Sequence, residues 1–180
     1  MLDSAVPSEL VGGGDTLLHY HLADRGPFPI PSGYFYDTTT QTAAVANTAY
    51  LATFNSSSYM LGVSYAAGKF TAKRPGYYHF SLSIQFSSSS SQDYDANVWV
   101  RKNGTNLANS NTILSIPAKH GAIHGHVLSA WGGTIQISRN DYIELYWSTE
   151  NTAVHMEYAA AAAPAPATAS ATLSMVLVSI

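Results

Sequence analysis

The chain has no cysteine, so neither a disulfide nor a thiolate-bound metal contributes to its stability, and packing or oligomerisation must supply it. Charge is almost as scarce: 8 Lys and Arg and 11 Asp and Glu make up 11% of 180 residues and leave a net charge of −3. The basic residues form no cluster. Phosphate backbones require several cations on one surface, and anionic membranes ask for the same, so neither nucleic acid nor a membrane is expected as a partner. No stretch of about 18 apolar residues is present, which excludes an apolar membrane-spanning helix. The first ten residues, Met-Leu-Asp-Ser-Ala-Val-Pro-Ser-Glu-Leu, have neither the basic start nor the apolar centre of a signal peptide, which predicts synthesis and folding in a cytoplasm. A Gly-x-Ser-x-Gly elbow, a phosphate-binding loop and a dinucleotide fingerprint are missing too.

What is present in quantity is Ser, Thr, Asn, Gly, Ala and Tyr, with 12 tyrosines and 3 tryptophans. That composition suits strands and turns better than solvated helices, and the aromatic excess suits an interface. The length fits one domain with a substantial core plus an appendage. The clearest pattern follows the Pro75-Gly76 turn. Tyr78, Phe80, Leu82, Ile84 and Phe86 alternate there with Tyr77, His79, Ser81, Ser83 and Gln85, the two-residue period of a half-buried strand. A strand with one large apolar face needs a second sheet to cover it, so a β-sandwich is expected.

Residues 1–32 differ in texture, with Gly12-Gly13-Gly14 and then Pro27, Pro29 and Pro31 at alternate positions. Such a segment builds no core of its own and is ordered when a partner holds it down. It is expected to be an extended attachment arm, with Leu17, Leu18, His19, Tyr20, His21 and Leu22 as its anchoring residues. From residue 33 to 180 the pattern is strand after strand. Candidates span 33–44, 48–54, 59–65, 69–72, 76–86, 94–102, 105–108, 111–116, 122–137, 142–148 and 171–180, the 122–137 segment being one bent strand or two around Gly132-Gly133. Asn103-Gly104 predicts a two-residue hairpin turn, while 55–58, 87–92 and 159–168 read as loops. About ten short strands at regular spacing indicate a sandwich or jelly roll.

Several segments together resemble a known family: Pro75-Gly76-Tyr77-Tyr78-His79-Phe80-Ser81, Val98-Trp99-Val100-Arg101-Lys102-Asn103-Gly104, Ile135-Gln136-Ile137 through Asp141-Tyr142-Ile143-Glu144-Leu145, and the final apolar strand. They look like the C1q/TNF-like jelly roll. With Asp37-Thr38-Thr39-Thr40-Gln41-Thr42-Ala43, Asn47-Thr48-Ala49-Tyr50 and Thr53-Phe54-Asn55, the resemblance is closer to the version found in tailed-bacteriophage structural proteins. It covers residues 33–180 and implies an all-β, ten-stranded jelly-roll sandwich that assembles as a homotrimer, with residues 1–32 left over as the arm. It further implies a non-enzymatic virion protein, a trimeric knob serving as capsid decoration, cement or head spike and held by its arm to a capsid or other virion protein. The alternative is the receptor- or glycan-binding tip of a tail fibre or spike.

Two His-x-His pairs, His19-Tyr20-His21 and His124-Gly125-His126, are the other notable pattern. Residues i and i+2 of a strand share a face, so three copies of such a pair around a three-fold axis bring six nitrogens together, enough for one octahedral transition-metal ion. His19 and His21 are therefore candidate metal ligands on the trimer axis, and no other cofactor is expected. A plain polar face accounts for the same residues without a metal. His79 and His155 stand singly and read as hydrogen-bonded strand residues. Asp93, Asp95, Asp141, Glu144, Glu150 and Glu157 could supply paired carboxylates for glycoside hydrolysis, but sequence does not give their separation, Asp141 has an adequate turn role, and no enzymatic activity is expected. Loops 87–95 and 147–155 mix aromatic, amide and hydroxyl groups of the kind that stack on and bond sugars, which makes Tyr94, Trp147 and Asn151 candidate contacts for a host surface glycan.

Overall fold

A computed structural model describes residues 29–180 of the chain. The expected anchoring residues Leu17, Leu18, His19, Tyr20, His21 and Leu22, and with them the His19/His21 metal pair, lie outside the described residues. The strands in chain order are β1 (Ser32–Asp37), β2 (Gln41–Thr42), β3 (Tyr50–Leu51), β4 (Ser56–Leu61), β5 (Val63–Ala66), β6 (Lys69–Ala72) and β7 (Gly76–Ser88). They continue with β8 (Tyr94–Lys102), β9 (Thr105–Asn106), β10 (Thr112–Ile116), β11 (Gly125–Ile137), β12 (Tyr142–Thr149), β13 (Val154–Met156) and β14 (Ala171–Ser179). Ten of these have four residues or more, and there is no helix among the described residues.

All pairings are antiparallel. One sheet runs β4-β1-β14-β7-β11, with β13 and β2 extending it beside the far end of β7; the other runs β5-β6-β12-β8-β10, with β3 on β12 and β9 on β8. Their apolar faces meet in one core. Phe35, Tyr78, Ile84, Phe86 and Leu173 enter from the first sheet and Phe70, Val98, Leu145 and Trp147 from the second, each at most 2% exposed. At one end Phe35, Phe54 and Tyr65 surround Phe70, with ring centroids 5.0, 5.2 and 4.6 Å from it. Burying side chains of this size contributes about 1.5–3 kcal/mol each.

The alternation of β7 is realised as expected: Tyr78, Phe80, Leu82, Ile84 and Phe86 are all buried, and Tyr77, His79, Ser81, Ser83 and Gln85 are not. β8 coincides with the expected 94–102 strand, and Asn103 and Gly104 turn it at φ of 52° and 79°, as a type I′ hairpin requires. Two expectations are corrected, and the choice between one bent strand and two at residues 122–137 falls to one. Residues 55–58 are not simply a loop, because β4 begins at Ser56; it is an edge strand with no buried residue, so its side chains show no apolar period. Ser87 and Ser88 belong to β7 and are fully buried, since β11 and β13 flank that end of the strand. Gly132-Gly133 does not break β11, which runs unbroken to Ile137. A Cβ at Gly132 would stand 2.4 Å from the Phe80 carbonyl oxygen, so the glycine serves close strand approach rather than a turn.

Candidate functional site

The outward face of the first sheet is built by the residues that alternate with the core. β1 contributes Ser32, Tyr34 and Tyr36; β7 contributes Tyr77, His79, Ser81, Ser83 and Gln85. β14 adds Thr172, Ser174, Val176 and Val178, and β11 adds Leu128, Ala130, Gly132, Thr134 and Gln136. The register lines them up in rows: Tyr59, Tyr34, Ser174, Ser81 and Gly132 form one, and Tyr36, Thr172, Ser83 and Ala130 the next. Large rings on β1 and β4 thus border a floor of hydroxyl, methyl and glycine positions. None of these residues is Asp, Glu, Lys or Arg. Tyr59 is 52%, Tyr77 44%, Leu128 54% and Val178 55% exposed. A broad, level, uncharged face with exposed tyrosines has the chemistry of an interface centre, where charges are depleted and Tyr enriched.

The second sheet carries a different feature on its outward side. Trp99 of β8 and Tyr146 of β12 are cross-strand partners with ring centroids 6.0 Å apart, and the Arg101 guanidinium lies 4.5 Å from the Tyr146 ring centre. Beside Trp99 a groove of about 300 Å³ is lined by Asn97, Asn106, Leu107, Asn109, Asn111 and Ser148. The Trp99 indole N–H donates to Asn106 Oδ1 at 2.9 Å, and the Asn111 amide donates to Asn97 Oδ1 at 2.8 Å. These bonds fix the Asn106, Asn97 and Asn111 amides in place along the groove next to an aromatic ring.

The candidate sugar contacts fall in three different settings. Trp147 is not a loop residue: it lies within β12, is 1% exposed, and packs on Tyr50 at 5.8 Å and Phe86 at 6.1 Å. It alternates with Tyr146 and Ser148, so the period that puts Ile143 and Leu145 in the core puts Trp147 there too. Tyr94 opens β8, half-exposed, with its hydroxyl donating to Gln92 Oε1 at 3.0 Å. Asn151 sits in the turn after β12, where its Oδ1 accepts the Ala153 N–H at 2.9 Å. The two loops do meet, because Asp95 N–H donates to Glu150 Oε2 and Glu150 N–H to the Asp95 carbonyl, both at 3.0 Å. Asp95 and Glu150 thus tie the two loops together. The Asn-lined groove beside Trp99 was missed at the sequence level; its only signal is the density of Asn across residues 97–111.

His79 is hydrogen-bonded within its sheet face, as expected, to Thr134 at 3.4 Å and Ser81 at 3.3 Å. His124 and His126 do not stand alone. His155 joins them, with ring centroids 6.1 Å from His124, and Glu157 lies 3.1 Å from His126. Among the other carboxylates, Asp141 accepts hydrogen bonds from Lys102 and Asn103 and from the Ser138 N–H, and these, led by Lys102, hold its carboxyl well below the usual carboxylate range. Its role is to pin the β11–β12 turn against the β8–β9 hairpin. Burial pushes the Tyr65 and Tyr78 hydroxyls up, and each is hydrogen-bonded to backbone, Tyr65 accepting from Phe54 N–H and Tyr78 donating to the Arg74 carbonyl.

Two antiparallel sheets in these strand orders, closed face to face, define an all-β TNF-like jelly roll. Among solved structures 218 chains match it, and one of them is murine APRIL, in a crystal structure at pH 5.0. That match has a TM-score of 0.55 and covers 83% of this chain and 100% of the other, at 10% sequence identity. An identity so low bears on the fold alone. No protein-family model and no curated protein matches the chain.

Proposed function

We propose that this protein is a non-enzymatic structural component of a tailed-phage virion: a homotrimeric jelly-roll knob displayed on the particle and fastened by residues 1–32 to a capsid or other virion protein. The observation that carries the reading is the uncharged outward face of the first sheet, with Tyr34, Tyr36, Tyr77, Val176 and Val178. TNF-like jelly rolls assemble as homotrimers, and a face without charge is the one a second copy covers at least desolvation cost. The phage setting rests on the motif resemblance of residues 37–55 and on the Gly/Pro-rich arm. Three arms on one trimer act together, so weak individual contacts give firm attachment through effective concentration. The protein then resides in the virion after synthesis in the host cytoplasm.

Deletion of the arm tests this. Because β1 begins at Ser32 and the Pro31 carbonyl accepts the Leu177 N–H, the cut is best placed at residue 28, which leaves that strand whole. The shortened chain should remain a soluble trimer and no longer co-sediment with particles assembled in its presence, and undiminished co-sedimentation contradicts the anchoring role.

A second reading is favoured by the groove beside Trp99, whose fixed amides and ring suit a neutral host surface glycan. In that case the knob is the recognition tip of a fibre or spike. Trp99→Ala should then abolish binding to host cells while leaving assembly intact; unchanged attachment removes this reading.

A further inference from the structure

The end of the first sheet brings together two pairs of groups that the sequence keeps apart, His124 with His126 and His155 with Glu157. Ser87 of β7 is paired with His126 of β11 on one side and with His155 of β13 on the other. Paired residues of an antiparallel sheet project from the same face, so both imidazoles rise beside Ser87. Glu157, two residues past His155, is held at the same edge by its N–H bond to the Gln85 carbonyl at 2.8 Å. His124 approaches from the segment before β11, its Nδ1 3.3 Å from Ser87 Oγ. Together these groups cover Ser87 so completely that it is 0% exposed despite lying on the outward face.

One ligand atom from each of His124, His155 and Glu157 lies within 4.8 Å of the others. We propose that this cluster is a transition-metal site, with His124, His155 and Glu157 as ligands and Zn²⁺ as the ion it fits best.

The chemistry of the donor set supports a borderline divalent ion. Two neutral imidazoles and one carboxylate are the usual ligands of Zn²⁺ or its neighbours, whereas Ca²⁺ and Mg²⁺ demand mainly oxygen. The tautomer of His155 is also set. His155 Nδ1 lies 3.3 Å from the Ala153 carbonyl, which only accepts, so Nδ1 carries the proton and Nε2 keeps its lone pair. The Ser87 hydroxyl, 3.3 Å from His124 Nδ1, can accept that proton in the same way, and metal binding at Nε2 selects this tautomer. His126 Nδ1 holds Glu157 Oε2 at 3.1 Å, orienting the carboxylate from its outer side. Metal bonds of about 2.1 Å in a tetrahedron place ligand atoms roughly 3.4 Å apart, so groups now within 4.8 Å of one another close by at most roughly 1.4 Å on binding. Glu157 and the His155 ring are half-exposed, so side-chain rotation about their anchored backbone supplies that movement. The site is complete within one chain and needs no trimer, unlike a His19/His21 site on a three-fold axis.

The test uses the full-length protein freed of metal with a chelator and titrated with Zn²⁺ alone, competed against a chromogenic chelator, with Co²⁺ as the visible-absorption probe of coordination. One ion per chain is expected, with imidazole–carboxylate coordination in the Co²⁺ spectrum. His155→Ala and the conservative Glu157→Gln should each weaken binding at least tenfold, and His126→Ala by roughly 10–100-fold through loss of carboxylate orientation. His19→Ala/His21→Ala should retain one ion per chain. Melting curves without metal confirm that each variant is folded, and Glu157→Gln, which removes no packing, carries the test should His155→Ala be unstable. No stoichiometric binding, equal affinity in Glu157→Gln, or loss of the ion only in the His19/His21 variant would overturn the proposal.

Discussion

Replacing Trp147 by Ala should destabilise the fold rather than remove a ligand contact. The indole is 1% exposed between the two sheets and packs on Tyr50 and Phe86 at 5.8 and 6.1 Å. Truncation loses the transfer free energy of the ring and leaves a cavity that rigid strands on both sides do not close, a combination that costs about 3–5 kcal/mol for buried Trp. In a domain of this size each kcal/mol moves the midpoint by roughly 2–4 °C, so a fall of roughly 6–20 °C is expected. The assay is a thermal melt followed by far-ultraviolet circular dichroism, at one protein concentration because association makes the midpoint concentration-dependent. Trp99→Ala serves as the control. That ring is half-exposed in a surface groove, and its loss should cost less than about 2 kcal/mol. A Trp147→Ala protein melting within about 2 °C of the parent would refute the core placement and return the residue to the surface.

Three further outcomes follow from the same geometry. Gly132→Val places a Cβ 2.4 Å from the Phe80 carbonyl oxygen, so β11 must shift away from β7 and stability should fall by about 1–3 kcal/mol in urea titrations; an unchanged midpoint contradicts that contact. Asp141 has a folded pKa below its unfolded value, so its stabilising contribution is complete above the ordinary carboxylate value of about 3.9 and is lost as pH falls through the folded one. Asp141→Asn should therefore lower the melting temperature equally at neutral pH and at about pH 5, with the gap closing only in strong acid; a gap that closes above about pH 5 contradicts the Lys102 and Asn103 contacts. Val176→Lys, in the middle of the uncharged face, should yield a folded chain of lower oligomeric order, read by light scattering, and a persistent full-size oligomer would show that this face is free.

How much was legible in the sequence depended on what determined each segment. β7 and β8 were readable because one face of each is buried through most of its length, from Tyr78 to Phe86 and from Ala96 to Val100, which imposes a two-residue period there. Asn103-Gly104 was readable because both positions need positive φ and few residues accept it. β4 was not, because an edge strand is held by backbone bonds to β1 and none of its side chains is buried. Trp147 shows a conflict within the sequence itself. Its alternation with Tyr146 pointed to the core, while its place beside the polar 149–155 segment pointed to a binding loop, and the burial period prevailed. The gathering of His124, His126, His155 and Glu157 was not legible, since it depends on β11 and β13 both pairing with the same few residues of β7. Only the spacing of His124 and His126 hinted at it.

The most direct test of the account is the mass of the purified full-length protein in solution, measured by light scattering or native mass spectrometry over a range of concentrations. A trimeric knob built on the uncharged face of the first sheet predicts a single species of three times the 19.2 kDa chain mass. A species of one chain mass at every concentration would contradict it.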